Sequence, residues 1–179
     1  MNINFLIAIG FLIFGLILKL VFHTTSKQRN HLYKIRSAER AYNKLQSFTG
    51  EYSSQQIITY LRKINAYAFE ELVLTALEQK GYTINRSDSY SGDGGCDGHC
   101  YLDGKQYLLQ MKRYSNTVSA KHLNDFKNLI EKSNAQGGFF VHTGKTSGVQ
   151  FANFKNSSLH IISGQRLIDL ILQPTQVKP

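Results

Sequence analysis

Gly92-Asp93-Gly94-Gly95-Cys96-Asp97-Gly98-His99-Cys100-Tyr101-Leu102-Asp103-Gly104-Lys105-Gln106-Tyr107-Leu108-Leu109-Gln110-Met111-Lys112 is the stretch that decides the fold. Asp103-Gly104 between two strand-forming arms signals a two-residue type I′ hairpin, whose central positions both need φ > 0. Counting outward from that turn pairs Leu102 with Lys105, Cys100 with Tyr107, and Asp97 with Gln110. Directly opposed residues share a face, with Cβ atoms ~4.5–5.5 Å apart. Period-two alternation adds Lys112 to that face and turns Met111 away. Local pairing alone is thus expected to gather a carboxylate, an amide and an amine, a set suited to metal-assisted phosphodiester chemistry.

Working outward, the flanking sequence reads as alternating helices and strands. Asn65 is placed to cap a helix that runs to about Lys80 and stops at Gly81. Phe69, Leu72, Val73, Ala76 and Leu77 form its apolar stripe, with Glu70 and Glu71 beside it. Tyr82 to Ile84 suggests a first strand, and the hairpin arms follow over about 97–101 and 106–113. Val118 to Ser133 reads as a helix and Gly138 to Thr143 as a buried strand. A helix at about 148–156, a strand from Leu159 to Ile162 and a helix from Gln165 to Leu172 complete the series. The order implies an α/β sandwich around a central mixed β-sheet. Residues 61–172 form the expected domain, and residues 173–179 a tail.

Residues 3–22 are almost continuously apolar, long enough for a transmembrane anchor. Nothing at the end of the run looks like a cleavage site, so an uncleaved anchor is expected. Lys19, Lys27, Arg29, Lys34 and Arg36 end or follow it, and the positive-inside rule then places the rest in the cytoplasm. The expected localisation is a single-pass protein of the inner (cytoplasmic) membrane. Residues 23–60 read as a basic juxtamembrane helical linker, favouring contact with anionic membrane lipid over DNA. The net charge of +9 and pI near 9.6 call for an anionic partner. Cys96 and Cys100 are too few for a disulfide framework. Strict alternation would put His99 on the opposite face from both cysteines, and a fourth ligand is lacking, which argues against zinc.

Four motifs in order carry a family resemblance: Phe69-Glu70-Glu71-Leu72-Val73, Lys80-Gly81-Tyr82, Asp93-Gly94-Gly95-Cys96-Asp97-Gly98 and Gln110-Met111-Lys112-Arg113. Together they resemble the Mrr-like restriction endonuclease family of the PD-(D/E)xK nuclease superfamily, in a variant with Gln before x-Lys. The resemblance covers about Leu61 to Leu172 and implies a restriction-endonuclease-like α/β sandwich. It further implies Asp97 as the principal metal carboxylate, Glu70 as a second, and the Met111 backbone carbonyl as a further metal ligand. Gln110 would take the place of the commoner acid, and Lys112 would hold the attacking water or stabilise charge on the phosphate. Hard oxygen donors and a phosphate substrate favour Mg²⁺, with Mn²⁺ able to substitute. Arg113 and Lys145 are candidate contacts to the DNA backbone.

The implied function is a membrane-anchored, Mg²⁺-dependent DNA endonuclease acting in restriction or defence against foreign DNA. Its partner would be double-stranded DNA, and cutting both strands would call for a homodimer. Gln110 leaves the site one acid short and motivates an alternative, a catalytically inactive module that tethers DNA at the membrane. A lipid-associated structural protein is a third reading. Gly144-Lys145-Thr146 imitates the end of a Walker motif, but Phe139 stands where its first glycine belongs. His122, His142 and His160 lack a paired nucleophile and read as structural.

Overall fold

Strand-forming runs at residues 83–84, 98–102, 105–112, 137–142 and 159–162 produce one five-stranded sheet in the computed structural model. It describes residues 3–48, 53–84 and 96–173; between 3 and 31, side chains are described only at 13–16, 18, 19 and 29. The strands are β1 (Thr83–Ile84), β2 (Gly98–Leu102), β3 (Lys105–Lys112), β4 (Gly137–His142) and β5 (Leu159–Ile162), lying side by side in that order. β1, β2 and β3 run antiparallel, whereas β3, β4 and β5 run parallel. The helices are α1 (Ile3–Gln46), α2 (Ser54–Lys63), α3 (Ala66–Gln79), α4 (Ala120–Lys132), α5 (Gly148–Phe154) and α6 (Gln165–Leu172). α4 and α5 make the crossovers that parallel pairing requires.

Helices cover both faces of the sheet, so β4 is buried along its whole length. On one face Leu109, Met111, Phe139 and Val141 pack with Phe69 and Val73 of α3 and Leu167 of α6. On the other face Leu108, Phe140 and Ile161 meet Leu123, Phe126 and Ile130 of α4. A Cβ on Gly138 would lie 2.6 Å from Ile130 Cδ1, so the glycine permits the close seating of α4. Ser53, Asn65, Ser119 and Ser147 each cap a helix through a side-chain oxygen. Each such cap stabilises by about 1 kcal/mol.

The segment expected to be a linker contributes to the core. Ala38, Ala41 and Leu45 of α1, with Ile57, Ile58 and Leu61 of α2, are buried in the α3-side layer. The basic side chains of α1 help to seat it: Lys34 Nζ lies 4.2 Å from the Tyr67 ring centroid and Lys44 Nζ 5.1 Å from that of Tyr60.

The expected transmembrane helix does not emerge as an element of its own. Residues 3–22 are helical but continuous with the polar remainder of α1. Among the described residues no helix is long and apolar enough to cross a membrane, and most side chains of 3–22 lie outside them.

Candidate active site

The hairpin turn behaves as its sequence requires. Asp103 and Gly104 adopt φ of 51° and 75°, and the register pairs Leu102 with Lys105 and Cys100 with Tyr107. Five residues from the turn on each arm the regular ladder ends. Gly98 is registered against Leu109, yet Asp97 also donates its N–H to the Leu109 carbonyl, at 2.7 Å. Two residues of one arm therefore address one residue of the other, as in a β-bulge. Asp97 consequently does not continue the register onto Gln110, as simple counting expects.

The displaced carboxylate reaches along the end of β2 to the next two residues of β3. Asp97 Oδ2 accepts the Met111 N–H at 2.6 Å, and Lys112 Nζ lies 3.2 Å from Oδ1 and 3.3 Å from Oδ2. A side-chain oxygen thus takes the place in the ladder that a backbone carbonyl would fill. The ion pair is partly exposed, with Lys112 and Asp97 side chains at 39% and 24% relative accessibility. It faces solvent well enough to receive a substrate.

The bulge also changes the phase of the upstream residues. Cys96 Sγ approaches His99 Nε2 at 3.8 Å, although strict alternation would separate them. Cys96 packs against the α4-side layer and Cys100 is buried in the α3-side layer, so the cysteines do not share a face. Burial pushes the Cys100 thiol up to about 12, which makes it inert near neutral pH. Among the described residues no cluster of three or more His, Cys, Asp or Glu could hold a metal.

α3 carries Glu70 toward the hairpin and Glu71 away from it. Glu71 is buried beside Ile35, Ala38 and Glu39 of α1, in the α1–α3 groove. Burial raises the pKa of Glu70 above its ordinary value, and the negative charge of Asp97 raises it further. Lys34 and Lys112 act in the opposite direction. Glu70, Asp97 and Lys112 are therefore close enough to feel one another's charge. A divalent cation offsets the mutual repulsion of two neighbouring carboxylates, and their hard oxygens suit Mg²⁺. In a strand the N–H and C=O of one residue point to the same side, so the Met111 carbonyl projects toward Asp97 with its N–H. This donor set of two carboxylates and a carbonyl fits a metal that retains several waters.

Other expected residues fall in different roles. Gln110 is half-buried in β3, paired in register with Phe140 of β4 rather than with Asp97. The Arg113 guanidinium donates to the carbonyls of Arg62 and Ile64 at the end of α2, tying that helix to β3. Lys145 is exposed on the loop after β4, whose backbone is fixed by hydrogen bonds with Asn116 and Val118. That loop lies at the Lys112 end of the sheet, since Lys112 is registered against His142. Asp93 and its glycines lie outside the described residues.

Two of the histidines that read as structural in the sequence make contacts near this end of the sheet, one of them with Tyr114. Tyr114 Oη is 2.9 Å from His122 Nδ1, and the two rings stack at 5.9 Å between centroids. Burial, and then the charge of Asp97, raise the Tyr114 phenol. His142 is fully buried; burial, then Arg166, lower it to about 4, so it is neutral near pH 7. Its Nε2 lies 3.0 Å from Thr146 Oγ1, which is 2.9 Å from Ser163 Oγ. These contacts cross between loops, where periodicity gives no signal. A cavity of about 390 Å³ lined by Tyr82, Tyr107, Phe139, Phe151 and Arg166 contains none of the expected site residues.

A mixed-sheet α/β sandwich with an acid and a lysine converging at a broken hairpin, beside a helix glutamate, defines a restriction-endonuclease-like domain. The chain belongs to the Mrr restriction endonuclease family, whose catalytic-domain model matches residues 61–171. No curated relative and no solved structure matches the chain.

Proposed function

We propose that this protein is an Mg²⁺-dependent endonuclease that hydrolyses phosphodiester bonds of double-stranded DNA in restriction or defence. The observation that carries this reading is the Asp97 carboxylate, held by the Met111 N–H and paired with Lys112, within electrostatic reach of Glu70. Asp97, Glu70 and the Met111 carbonyl would hold the ion. Bound there, it would lower the pKa of a coordinated water and neutralise charge on the phosphoryl oxygens.

The chain's own groups supply the rest. Met111 N–H fixes the Asp97 carboxylate in one orientation, so the acid is preorganised before substrate arrives. The Lys112 ammonium, positioned by Asp97, orients the attacking water and stabilises negative charge that grows on the phosphate. Gln110 contributes an amide beside them without adding charge. Lys145, exposed at the same end of the sheet, would contact a backbone phosphate, whereas the role of Arg113 is to hold α2.

The domain would be tethered by residues 3–22 to the cytoplasmic membrane, with residues 61–172 in the cytoplasm. Ile13, Phe14, Leu16 and Leu18 of α1 are all exposed, an apolar run that lipid would cover, and Lys19 follows it. Release of the full chain from membranes by alkaline carbonate would remove the tether from this reading.

The deciding experiment incubates the protein with modified and unmodified plasmid in Mg²⁺ or chelator, alongside the D97A and K112A variants. Cleavage by the wild type alone, and only with the ion, is expected. Gln110 in place of an acid favours a second reading, a DNA-binding module without turnover. Salt-sensitive binding with no nicking in any divalent ion would establish that module instead.

A further inference from the structure

Tyr114 lies two residues beyond Lys112 and packs on the same Leu108–Phe140 layer. Its ring meets His142, the residue registered against Lys112, at 6.2 Å between centroids. The backbone there is clamped: Thr143 Oγ1 donates to the Tyr114 carbonyl at 2.9 Å. A Cβ on Gly144 would collide with the Asn116 carbonyl and come within 2.8 Å of Tyr114 Cβ. The phenol is thus held at the active end of the sheet while its oxygen meets His122 Nδ1 at 2.9 Å. His122 stands in the first turn of α4, its N–H bonded to Ser119 Oγ at 3.2 Å, and its side chain is exposed. None of the roles given to Asp97, Glu70 or Lys112 supplies a proton to the group that departs from phosphorus.

We infer that the Tyr114–His122 pair protonates the leaving sugar oxygen during phosphodiester hydrolysis, an inference that rests on the nuclease reading above. With Nδ1 protonated, His122 donates to the Tyr114 oxygen and leaves the phenolic O–H free to face the substrate. As the water oxygen bonds to phosphorus, the phosphorus–sugar oxygen bond breaks and its electron pair goes to the departing oxygen. That oxygen takes the Tyr114 proton, Tyr114 takes the Nδ1 proton, and the exposed Nε2 of His122 takes one from solvent. The proton of the attacking water leaves to solvent, and the cycle closes when His122 returns its Nε2 proton to solvent and regains one at Nδ1.

The test compares an ordinary duplex with one in which the bridging leaving oxygen is sulfur, placed at a bond the wild type has been shown to cut. A thiolate leaves without needing a proton. Y114F is expected to slow the ordinary duplex by about a hundred-fold, within the range of general acid catalysis. The same variant should cut the sulfur-bridged duplex within about two-fold of wild type, and H122A should follow its pattern. Thermal unfolding of both variants controls for loss of fold. Equal loss on both duplexes, or no loss on the ordinary one, overturns the inference while leaving the nuclease reading in place. A wild type that cuts no ordinary duplex, so that no bond can be chosen for the sulfur, overturns the nuclease reading itself, and the inference with it.

Discussion

At its closed end the β2–β3 hairpin follows local chemistry: Asp103 and Gly104 supply the two positive φ angles, and residues 102 and 105 pair as counting requires. At its open end the same two strands depart from the pattern, because Asp97 and Gly98 both address Leu109. The first end resembles any tight hairpin and carries no chemistry. The second gathers Asp97, Met111 and Lys112 and faces Glu70. Regular pairing builds the support, and the interruption of that pairing aims the carboxylate.

If that contrast is sound, changes at the open end should abolish activity with little effect on stability, and changes at the turn should do the reverse. The largest effect is expected for K112A and D97N, each lowering plasmid cleavage by about a thousand-fold, comparable to removing a preorganised electrostatic contact. D97N keeps an oxygen for the Met111 N–H, so its thermal midpoint should stay near wild type, whereas D97A should lose about 1 kcal/mol. A D97N variant that cleaves normally would break the comparison at once.

Glu70 gives the next effect, in pH dependence. Its native pKa is raised, so the carboxylate form accumulates only as pH climbs above the ordinary carboxylate range, and cleavage should rise along that limb. For stability the sign is opposite. The native state holds this proton more tightly than the unfolded chain, so the contribution of Glu70 is greatest at low pH and is lost as pH rises through the native value. E70Q should therefore be inactive yet more stable than wild type near neutrality, by thermal unfolding across pH. Added Mg²⁺ should raise the midpoint of the wild type and leave E70Q nearly unmoved.

Gly144→Ala comes third, at about 1–3 kcal/mol in chemical denaturation, since its Cβ meets the Asn116 carbonyl and backbone must shift. Because Tyr114 shares that crowding, cleavage should fall too. Gly104→Ala is the smallest: its φ of 75° disfavours a side chain, at a cost of about 1 kcal/mol. Specific activity of the folded fraction should be unchanged there. Lost activity in Gly104→Ala at full stability would mean that the turn end has a role the comparison denies it.

The parts of the molecule legible in the sequence are those governed by near neighbours. The Asp-Gly turn, the register near it, the Asn65 cap and the apolar stripes of α3 and α4 all follow from spacings of two to four residues. The bulge was not legible, because glycine-rich residues on either side of Asp97 accept both regular and irregular backbone. Counting still brought Asp97 and Lys112 together, since the carboxylate reaches past its nominal partner; it misassigned Gln110 and the face of Cys96. The burial of Ala38, Ala41 and Leu45 was hidden by the cations around them, which settle over Tyr60 and Tyr67 instead of solvent. The Arg113 contacts with α2 span about fifty residues of chain, beyond any local pattern.

The shared opposite number of Asp97 and Gly98 has a consequence for how this arm tolerates length change. Deleting Gly98 would let the strand zip onward with Asp97 opposite Leu109, and a main-chain oxygen would claim the Met111 amide. The acid would then swing out of the sheet's plane and part from its ammonium, although the turn and the core kept every contact. A single missing codon there should silence the protein more cleanly than the loss of several residues at the tip of the ribbon.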